Sequence, residues 1–224
     1  MNKIRHIYKL LLDRYGPQKW WPTTLKKDIH PTYHGQKLNN KARFEIAVGA
    51  ILTQNTSWKN VEKAIIELNR KNLLSAEKIK KANQKILAKT IKSAGYYNQK
   101  AERLKILADF FSKNKFEDLM KKDAAELREI FLKIKGVGPE TCDSIILYAL
   151  EKPIFVVDAY TKRMCGHLKL CKKDASYREI QDLFMKNLKQ DTKMFSEYHA
   201  LIVEHAKHCY SRNPYSDRLL KQSL

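Results

Sequence analysis

The chain of 224 residues carries 44 lysines and arginines against 24 aspartates and glutamates, a formal net charge of +20 at pH 7. Hydrophobic residues make up 43% of it, which is enough to bury a core and excludes a disordered chain. There is no run of eighteen apolar residues, so we predict no membrane span. The start of the chain lacks the apolar region of a signal peptide, so we expect an intracellular protein. The basic excess favours polyanionic partners, nucleic acid before anionic membrane.

The N-terminal region combines a helix with an aromatic loop. Apolar residues recur on one stripe over Lys3–Tyr15, which predicts an amphipathic helix that Gly16-Pro17 ends. Trp20, Trp21 and Pro22 follow. Adjacent side chains on an extended backbone point in opposite directions, so one tryptophan can pack inward while the other lines a cleft. The alternative is that both tryptophans are core anchors.

The middle of the chain predicts a series of helices. The strongly apolar stretch from Arg43 to Thr53 predicts a mostly buried helix, which Gln54 and the polar residues after it interrupt. Further helices are predicted at Trp58–Arg70, Ala76–Lys81, Gln84–Ser93 and Lys100–Lys113. The overlapping segment Ile91–Ala101 has the pattern of a helix, a glycine turn and a second helix.

The main glycine turn, at Gly136 and Gly138, lies between two predicted helices. Spacings of three and four residues between apolar side chains predict an amphipathic helix over Ala124–Lys133. Gly136 and Gly138 allow positive φ in a tight turn, and Pro139 suits the first position of a new helix. Bare amides at such a helix start bind phosphate. The alternative is an ordinary helical turn.

Asp158 ends the apolar run Ile154–Val157 at the apparent start of another helix. Helix-start amides and the helix dipole stabilise a carboxylate at such a position. The remaining helices are predicted near Ala159–Leu168, Tyr177–Lys189 and Phe195–His208, with an irregular tail over Ser211–Leu224. Because we find no convincing alternating strand, the predicted fold class is all-α.

The cysteines and histidines do not form a recognisable metal-binding pattern. Cys142, Cys165, Cys171 and Cys209 contain no Cys-x-x-Cys pair, and their spacing with His167 fits no usual zinc finger. In an intracellular protein we expect free thiols rather than a disulfide framework. His30 and His34, in the polar loop predicted for residues 26–40, are more simply surface histidines than metal ligands.

The glycine turn, with an aspartate twenty residues on, resembles the helix-hairpin-helix DNA glycosylases of the endonuclease III superfamily. Gly136-Val137-Gly138 matches their hairpin, and Val156–Asp158 matches their catalytic segment. The resemblance covers roughly Trp20–Cys209 and implies two helical subdomains with a central cleft. Residues 43–152 would form a six-helix core that ends in the hairpin, and residues 1–42 with 153–224 the second subdomain. Phe44–Gln54 resembles the segment that opens the core, where Gln54 fills the gap left by an extruded base. The alternative for Gln54 is a helix-end amide that satisfies its own backbone.

The resemblance also implies roles in binding and chemistry. A DNA glycosylase bends the duplex, extrudes a nucleotide and holds its base in a pocket. Asp158 is the implied catalytic residue, because a carboxylate stabilises a cation-like sugar or orients a water. Superfamily members that also cut the strand use a lysine just after the hairpin. Glu140 stands at that position and cannot form a Schiff base, which favours simple hydrolysis. The implied DNA-binding residues are Gln54, Lys135, Gly136, Val137, Gly138 and Thr141.

Aromatic residues indicate the base. Trp20-Trp21-Pro22 and Phe44 match the base-pocket positions of the 3-methyladenine glycosylases of this superfamily, and aromatic faces suit a cationic base. The implied substrate is double-stranded DNA with an alkylated purine such as 3-methyladenine. One alternative is another lesion on the same fold, an oxidised pyrimidine or a mismatched base. The other is a non-catalytic helix-hairpin-helix DNA-binding protein, which would not need Asp158.

The C-terminal region departs from the pattern of many relatives. Many members of this superfamily hold an iron–sulfur cluster on four closely spaced C-terminal cysteines, whereas this region contains only Cys209. We therefore predict no cluster and no other metal or cofactor. Lys207 is a candidate for the lysine that organises this region in the cluster-free subfamily, with a cation at a helix C-terminus as the alternative. We expect a monomer without a membrane partner, cytoplasmic and associated with the nucleoid.

Overall fold

The computed structural model describes residues 2–212 and 214–223. The chain divides into two compact units. The central unit is Trp21–Lys152, and the terminal unit combines Met1–Trp20 with Pro153–Leu224. Both units are built from helices, so the predicted all-α class is confirmed. In the described part of the chain, no helix is long and apolar enough to cross a membrane.

The central unit is arranged around α2, in which every residue from Ala42 to Leu52 is buried. Asn39 begins this helix by accepting a hydrogen bond from the Ala42 amide at 2.9 Å. The elements of the unit are β1 (Thr23–Thr24), β2 (Pro31–Thr32), α2 (Asn40–Leu52), α3 (Trp58–Arg70), α4 (Ala76–Lys81), α5 (Gln84–Thr90), a 3-10 turn (Lys92–Ala94), α6 (Tyr97–Lys113), α7 (Phe116–Leu119), α8 (Ala124–Leu132), α9 (Pro139–Ser144) and a π-helical turn (Ile145–Ala149).

The β1 and β2 strands pair antiparallel, Thr23 opposite Thr32 and Thr24 opposite Pro31. They lie where the sequence predicted a loop. The amide and hydroxyl of Thr24 donate to Glu45 Oε1 of α2 at 2.9 and 2.8 Å. These bonds attach the segment after Trp21 to the central unit. The predicted boundary between residues 42 and 43 therefore moves to residues 20 and 21.

The terminal unit joins the two ends of the sequence. Its core contains the stacked rings of Phe155 and Phe184, whose centroids are 4.1 Å apart, and the buried Tyr198. The Tyr198 hydroxyl donates to the Ile4 carbonyl at 2.8 Å and so ties α12 to α1. The helices of this unit are α1 (Lys3–Tyr15), α10 (Ala159–His167), α11 (Tyr177–Asn187), α12 (Thr192–Cys209) and α13 (Arg218–Lys221). The short α13 lies in the tail that the sequence predicted to be irregular.

Candidate functional site

The predicted glycine turn joins α8 to α9. Asp123 begins α8 with a capping box, in which its carboxylate accepts from the Glu126 amide and the Glu126 carboxylate accepts from the Asp123 amide. Gly136 adopts φ 88°, a value that favours glycine, whereas Gly138 has φ −89° and precedes Pro139 as the N-cap of α9. Of the two glycines, only Gly136 therefore uses the positive φ that glycine allows.

Two amides of this turn are bare. Neither the Gly136 N–H nor the Gly138 N–H has a hydrogen-bond acceptor among the described residues, whereas the Val137 N–H donates to the Ile134 carbonyl at 3.0 Å. A Cβ built at Gly138 would have no other atom within 4 Å, so the space beside this amide is open. Bare amides at a helix start are suited to bind a phosphate oxygen.

The side chains of the turn divide into core and surface. Val137 and Thr141 are each 6% exposed, so their side chains pack inside the central unit, and their contact with DNA stays a prediction. Lys135 is 78% exposed, and its Nζ donates to Glu102 Oε1 at 2.8 Å. Glu140 is exposed in the first turn of α9, where strand-cutting relatives carry their lysine. The groups of the turn that are available to DNA are therefore its backbone amides and the cation of Lys135.

Gln54 lies against the glycine turn. Its Nε2 donates to the Gly136 carbonyl at 3.0 Å and to Thr141 Oγ1 at 2.9 Å, and its Oε1 accepts from the Arg103 guanidinium. The alternative in which this amide satisfies its own backbone is wrong, because the partners lie 82 and 87 residues away. Arg103 was missed from the sequence, because its contacts come from the fold and not from a local pattern.

The second glycine turn, at Gly95 before α6, exposes an aromatic ring. Tyr96, which precedes α6, is 68% exposed and has φ 44°. Exposed aromatic side chains stack on nucleobases, so Tyr96 joins the candidate site. The buried Lys100 donates to the carbonyls of Leu52 at 2.8 Å and Ala94 at 2.7 Å, which holds this turn beside the end of α2. Burial lowers the pKa of Lys100 to about 8.

Asp158 is the N-cap of α10, as predicted from the sequence. Its Oδ1 accepts from the Thr161 amide at 2.7 Å and the Thr161 hydroxyl at 2.8 Å, which fixes the carboxylate. Its Oδ2 lies 3.8 Å from His199 Nε2. Burial lowers the pKa of His199, while the negative charge of Asp158 acts in the opposite direction. The side chain of Asp158 is 15% exposed, so the carboxylate is sheltered but accessible.

Trp21 belongs to an aromatic cluster of the central unit. Its ring lies edge-on to Trp58 at 5.6 Å and to Tyr148 at 5.3 Å. A Cβ at Gly49 would come within 2.9 Å of the Trp21 ring, so this glycine allows the indole to lie against α2. Trp21 and Trp58 remain half-buried. The sequence did not identify Trp58, since its helical spacing is that of a core residue.

The other predicted pocket residues have different surroundings. Phe44 is 4% exposed, and its ring lies edge-on to Phe111 at 5.8 Å. The ring therefore packs in the core of the central unit, and its role as a wall of the base pocket stays a prediction. Pro22 is buried in the central unit, whereas Trp20 is half-buried and belongs to the terminal unit. The three adjacent residues Trp20, Trp21 and Pro22 thus span the boundary between the units.

A buried hydrogen-bond network occupies the end of the terminal unit. His205 contacts the Tyr15 hydroxyl through Nδ1 at 2.9 Å and Asp217 Oδ2 through Nε2 at 3.0 Å, and the Tyr210 hydroxyl donates to the same carboxylate. Burial would raise the pKa of Asp217, but the hydrogen bonds from His205, Tyr210 and the Leu220 amide hold it below its usual value.

Lys207 lies outside this network. Its Nζ donates to Glu204 Oε2 at 2.7 Å, and its side chain is 51% exposed. His205 and Asp217 connect the elements here, whereas Lys207 lies at the surface near a helix end, and its organising role stays a prediction.

The four cysteines are divided between the two units. All are free thiols; Cys142 lies in the central unit and Cys165, Cys171 and Cys209 in the terminal unit. The Sγ of Cys209 lies 3.9 Å from His205 Nδ1, so the buried network adjoins this thiol.

A comparison with protein families identifies the chain. The family model of HhH-GPD superfamily base excision DNA repair proteins matches residues 48–190, more than half of the sequence. The chain belongs to this superfamily. It is a DNA glycosylase of the endonuclease III type, with DNA as its partner, and the predicted family and fold are confirmed.

Curated relatives of this glycosylase cover most of its length. It is 48% identical over 208 residues to a Methanocaldococcus jannaschii protein named as a candidate DNA repair glycosylase, a match that covers 91% of this chain and 87% of the relative. It is 26% identical over 176 residues to endonuclease III of Sulfolobus acidocaldarius, with 78% of each chain covered.

Solved structures share the fold of this glycosylase. The 3-methyladenine DNA glycosylase of H. pylori, bound to 1,N6-ethenoadenine, superposes with a TM-score of 0.72 and 27% identity and covers 93% of this chain and 98% of its own. A non-covalent endonuclease III–DNA complex has a TM-score of 0.76 at 19% identity, over 98% of this chain and 94% of its own. The second likeness shows the fold alone.

Proposed function

We propose that this glycosylase hydrolyses the N-glycosidic bond of an alkylated purine such as 3-methyladenine in double-stranded DNA and leaves the strand intact. The observation that carries the proposal is Asp158, whose Oδ1 is fixed by two hydrogen bonds from Thr161 while the carboxylate stays accessible. As the bond to the base breaks, its electron pair leaves with the base and the sugar becomes cation-like. A fixed carboxylate stabilises that charge and orients the attacking water.

Glu140 supports hydrolysis without strand cleavage. A lyase step needs an amine that attacks C1′ and forms an imine, and a carboxylate cannot provide one. Glu140 is exposed in the first turn of α9, at the position of the lysine in strand-cutting relatives. Lys135, on the other side of the turn, instead pairs with Glu102.

Aromatic side chains support an alkylated purine. The half-buried indoles of Trp21 and Trp58, with Tyr148 beside them, form an aromatic cluster, and aromatic side chains stack on flat bases. A methylated purine is cationic and leaves as a neutral base, so stacking suffices with little further activation. The H. pylori relative named for 3-methyladenine matches over almost its whole length.

We further propose that the enzyme works without an iron–sulfur cluster and as a monomer on nucleoid DNA. The Tyr15–His205–Asp217–Tyr210 network supports the first point, because it supplies connections among α1, α12 and the segment before α13 without a metal. The hairpin and Asp158 lie on one chain, which supports the second.

The proposed function is tested with duplexes that each carry one lesion: 3-methyladenine, 1,N6-ethenoadenine, an oxidised pyrimidine or a mismatched thymine. We expect base release from the alkylated purines, strand breaks only after alkali, and no protein–DNA adduct when borohydride is added during turnover. A trapped adduct would show the lyase chemistry of endonuclease III. Release of the oxidised pyrimidine alone would contradict the proposed preference for alkylated purines.

A further inference from the structure

Arg103 of α6 lies between the end of α2 and the glycine turn. Its guanidinium donates to Gln54 Oε1, and Gln54 Nε2 in turn donates to the Gly136 carbonyl at 3.0 Å. The aliphatic part of Arg103 covers Gly136 so closely that a Cβ there would come within 2.5 Å of Arg103 Cγ. Arg103 thus touches the turn directly and also through Gln54.

These contacts fix the orientation of the Gln54 amide. Because Oε1 accepts from a guanidinium, Nε2 is directed at Gly136 and Thr141, which accept from it at 3.0 and 2.9 Å. A hydrogen bond from a charged donor is stronger than one between neutral groups, and half-burial of both side chains limits its exposure to water. The Gly136 carbonyl is therefore held while the neighbouring amides remain bare.

Lys100 holds the same elements from one helical turn away. Its ammonium donates to the carbonyls of Leu52 and Ala94, so the start of α6 attaches the end of α2 to the second glycine turn. Side chains three positions apart share a helix face. Lys100 and Arg103 together hold the end of α2 against both glycine turns.

We propose that Arg103 is a positioning residue that makes Gln54 and the glycine turn one preorganised DNA-binding unit. The inference rests on the proposed function and takes the bare amides of the turn as its phosphate-binding groups. Without Arg103, the Gln54 amide rotates and the turn moves, so part of the binding energy goes into ordering it. Arg103 acts through its neighbours and needs no contact with the lesion.

A double-mutant cycle tests this coupling. The dissociation constant is measured by fluorescence anisotropy on a duplex with a tetrahydrofuran abasic-site analogue, for Arg103→Met, Gln54→Ala and the double variant. We expect each single change to weaken binding about 10-fold, and the double variant to be no weaker than about 15-fold, because both changes disable one unit. A loss near 100-fold, the product of the two, overturns the proposal.

Matched variants separate positioning from general charge and packing. Arg70→Met removes an exposed arginine of the same unit, paired with Glu67, and should weaken binding less than about 3-fold. Arg103→Lys keeps a charged donor for Gln54 and should recover most of the affinity that Arg103→Met loses. Equal affinity of the lysine and methionine variants would show that the contact with Gln54 does not support DNA binding. Equal losses of affinity for Arg70→Met and Arg103→Met would show the same. Base release by the wild type tests the proposed function separately, so either can fail alone.

Discussion

Asp158 directs one carboxylate oxygen to its own helix and the other toward His199, and this arrangement separates its structural role from its chemical one. In Asp158→Asn the retained oxygen still caps α10, because asparagine is a good N-cap residue. The charge that stabilises a cation-like sugar is lost. We expect single-turnover base release from a 3-methyladenine duplex to fall by roughly 100-fold or more, with the dissociation constant changed by less than about 3-fold.

Asp191 provides the matched control for this experiment. It caps α12 in the same unit, and its Oδ1 accepts from the Met194 amide at 2.7 Å. Asp191→Asn removes the same charge from the same kind of helix position and should keep full activity. Full activity in Asp158→Asn, or an equal loss of base release in the two variants, would show that Asp158 has no specific role in the reaction.

Glu45 is a buried acid in the apolar helix α2, and no sequence pattern singles it out. Burial raises its pKa to about 7, against two hydrogen bonds from Thr24, and its Oε2 has no partner in the described part of the chain. The folded protein therefore holds this proton more tightly than the unfolded chain between about pH 4.5 and 7. Because the folded state binds more protons there, this group's contribution to stability falls as the pH rises through that window.

Glu45→Gln should remove this pH dependence while keeping an oxygen for Thr24. We expect the free energy of unfolding of the variant to exceed that of the wild type most at pH 8. At pH 5 this difference should be smaller by on the order of 2 kcal/mol. The free energy of unfolding is measured by urea titration at several pH values. A difference that stays constant from pH 5 to pH 8 would show that Glu45 titrates normally.

At the scale of elements, the two glycines of the hairpin should respond differently to substitution. Gly136 has φ 88° and no room for a Cβ beside Arg103, whereas Gly138 has φ −89° and open space. Gly136→Ala should lower the free energy of unfolding by about 1–3 kcal/mol and weaken DNA binding. Gly138→Arg should leave thermal unfolding unchanged and weaken DNA binding, because its bulk covers a bare amide. Unchanged DNA affinity in Gly138→Arg would show that the turn is not the phosphate site.

Helices with a strong internal pattern could be predicted from the sequence alone. Lys3–Tyr15, Trp58–Arg70 and Ala76–Lys81 have the predicted bounds, since periodicity and flanking turn residues decide them locally. The β1–β2 ladder was not predicted, because two residues per strand are too few to show alternation. The predicted helix Gln84–Ser93 ends at Thr90 and resumes as a 3-10 turn before Gly95.

The candidate site could be predicted only in part, because only some of its residues lie in a local sequence pattern. Asp158 and the glycine turn have local signatures, a helix start after an apolar run and a Gly-x-Gly before proline. Arg103 and Trp58 acquire their roles from neighbours distant in sequence, so no local pattern marks them. The burial of Phe44 likewise depends on Phe111 of α6.

At the scale of the whole molecule, the net charge of +20 predicts strongly salt-dependent DNA binding. Each phosphate that the protein neutralises releases counterions, so the logarithm of affinity should fall linearly with the logarithm of salt concentration. We expect a slope of roughly −3 to −5 on undamaged duplex, for a few phosphate contacts around the hairpin. Anisotropy titrations between 50 and 300 mM salt measure this slope. A slope near zero would rule out binding through electrostatic contacts with phosphates.

The division of the terminal unit between both ends of the sequence has a consequence for synthesis on the ribosome. The apolar stripe of α1, with Ile4, Ile7 and Leu11, is made before the other helices of its unit. Tyr198, whose hydroxyl bonds to the Ile4 carbonyl, follows 194 residues later. At ~5–20 residues per second, α1 waits about 10–40 s for this partner.

During that interval the central unit Trp21–Lys152 becomes complete and can fold first. The nascent protein therefore matures from its middle outward. α1 is the segment that a chaperone at the ribosomal exit would shelter, and protease added to stalled nascent chains should cut α1 until α12 has emerged.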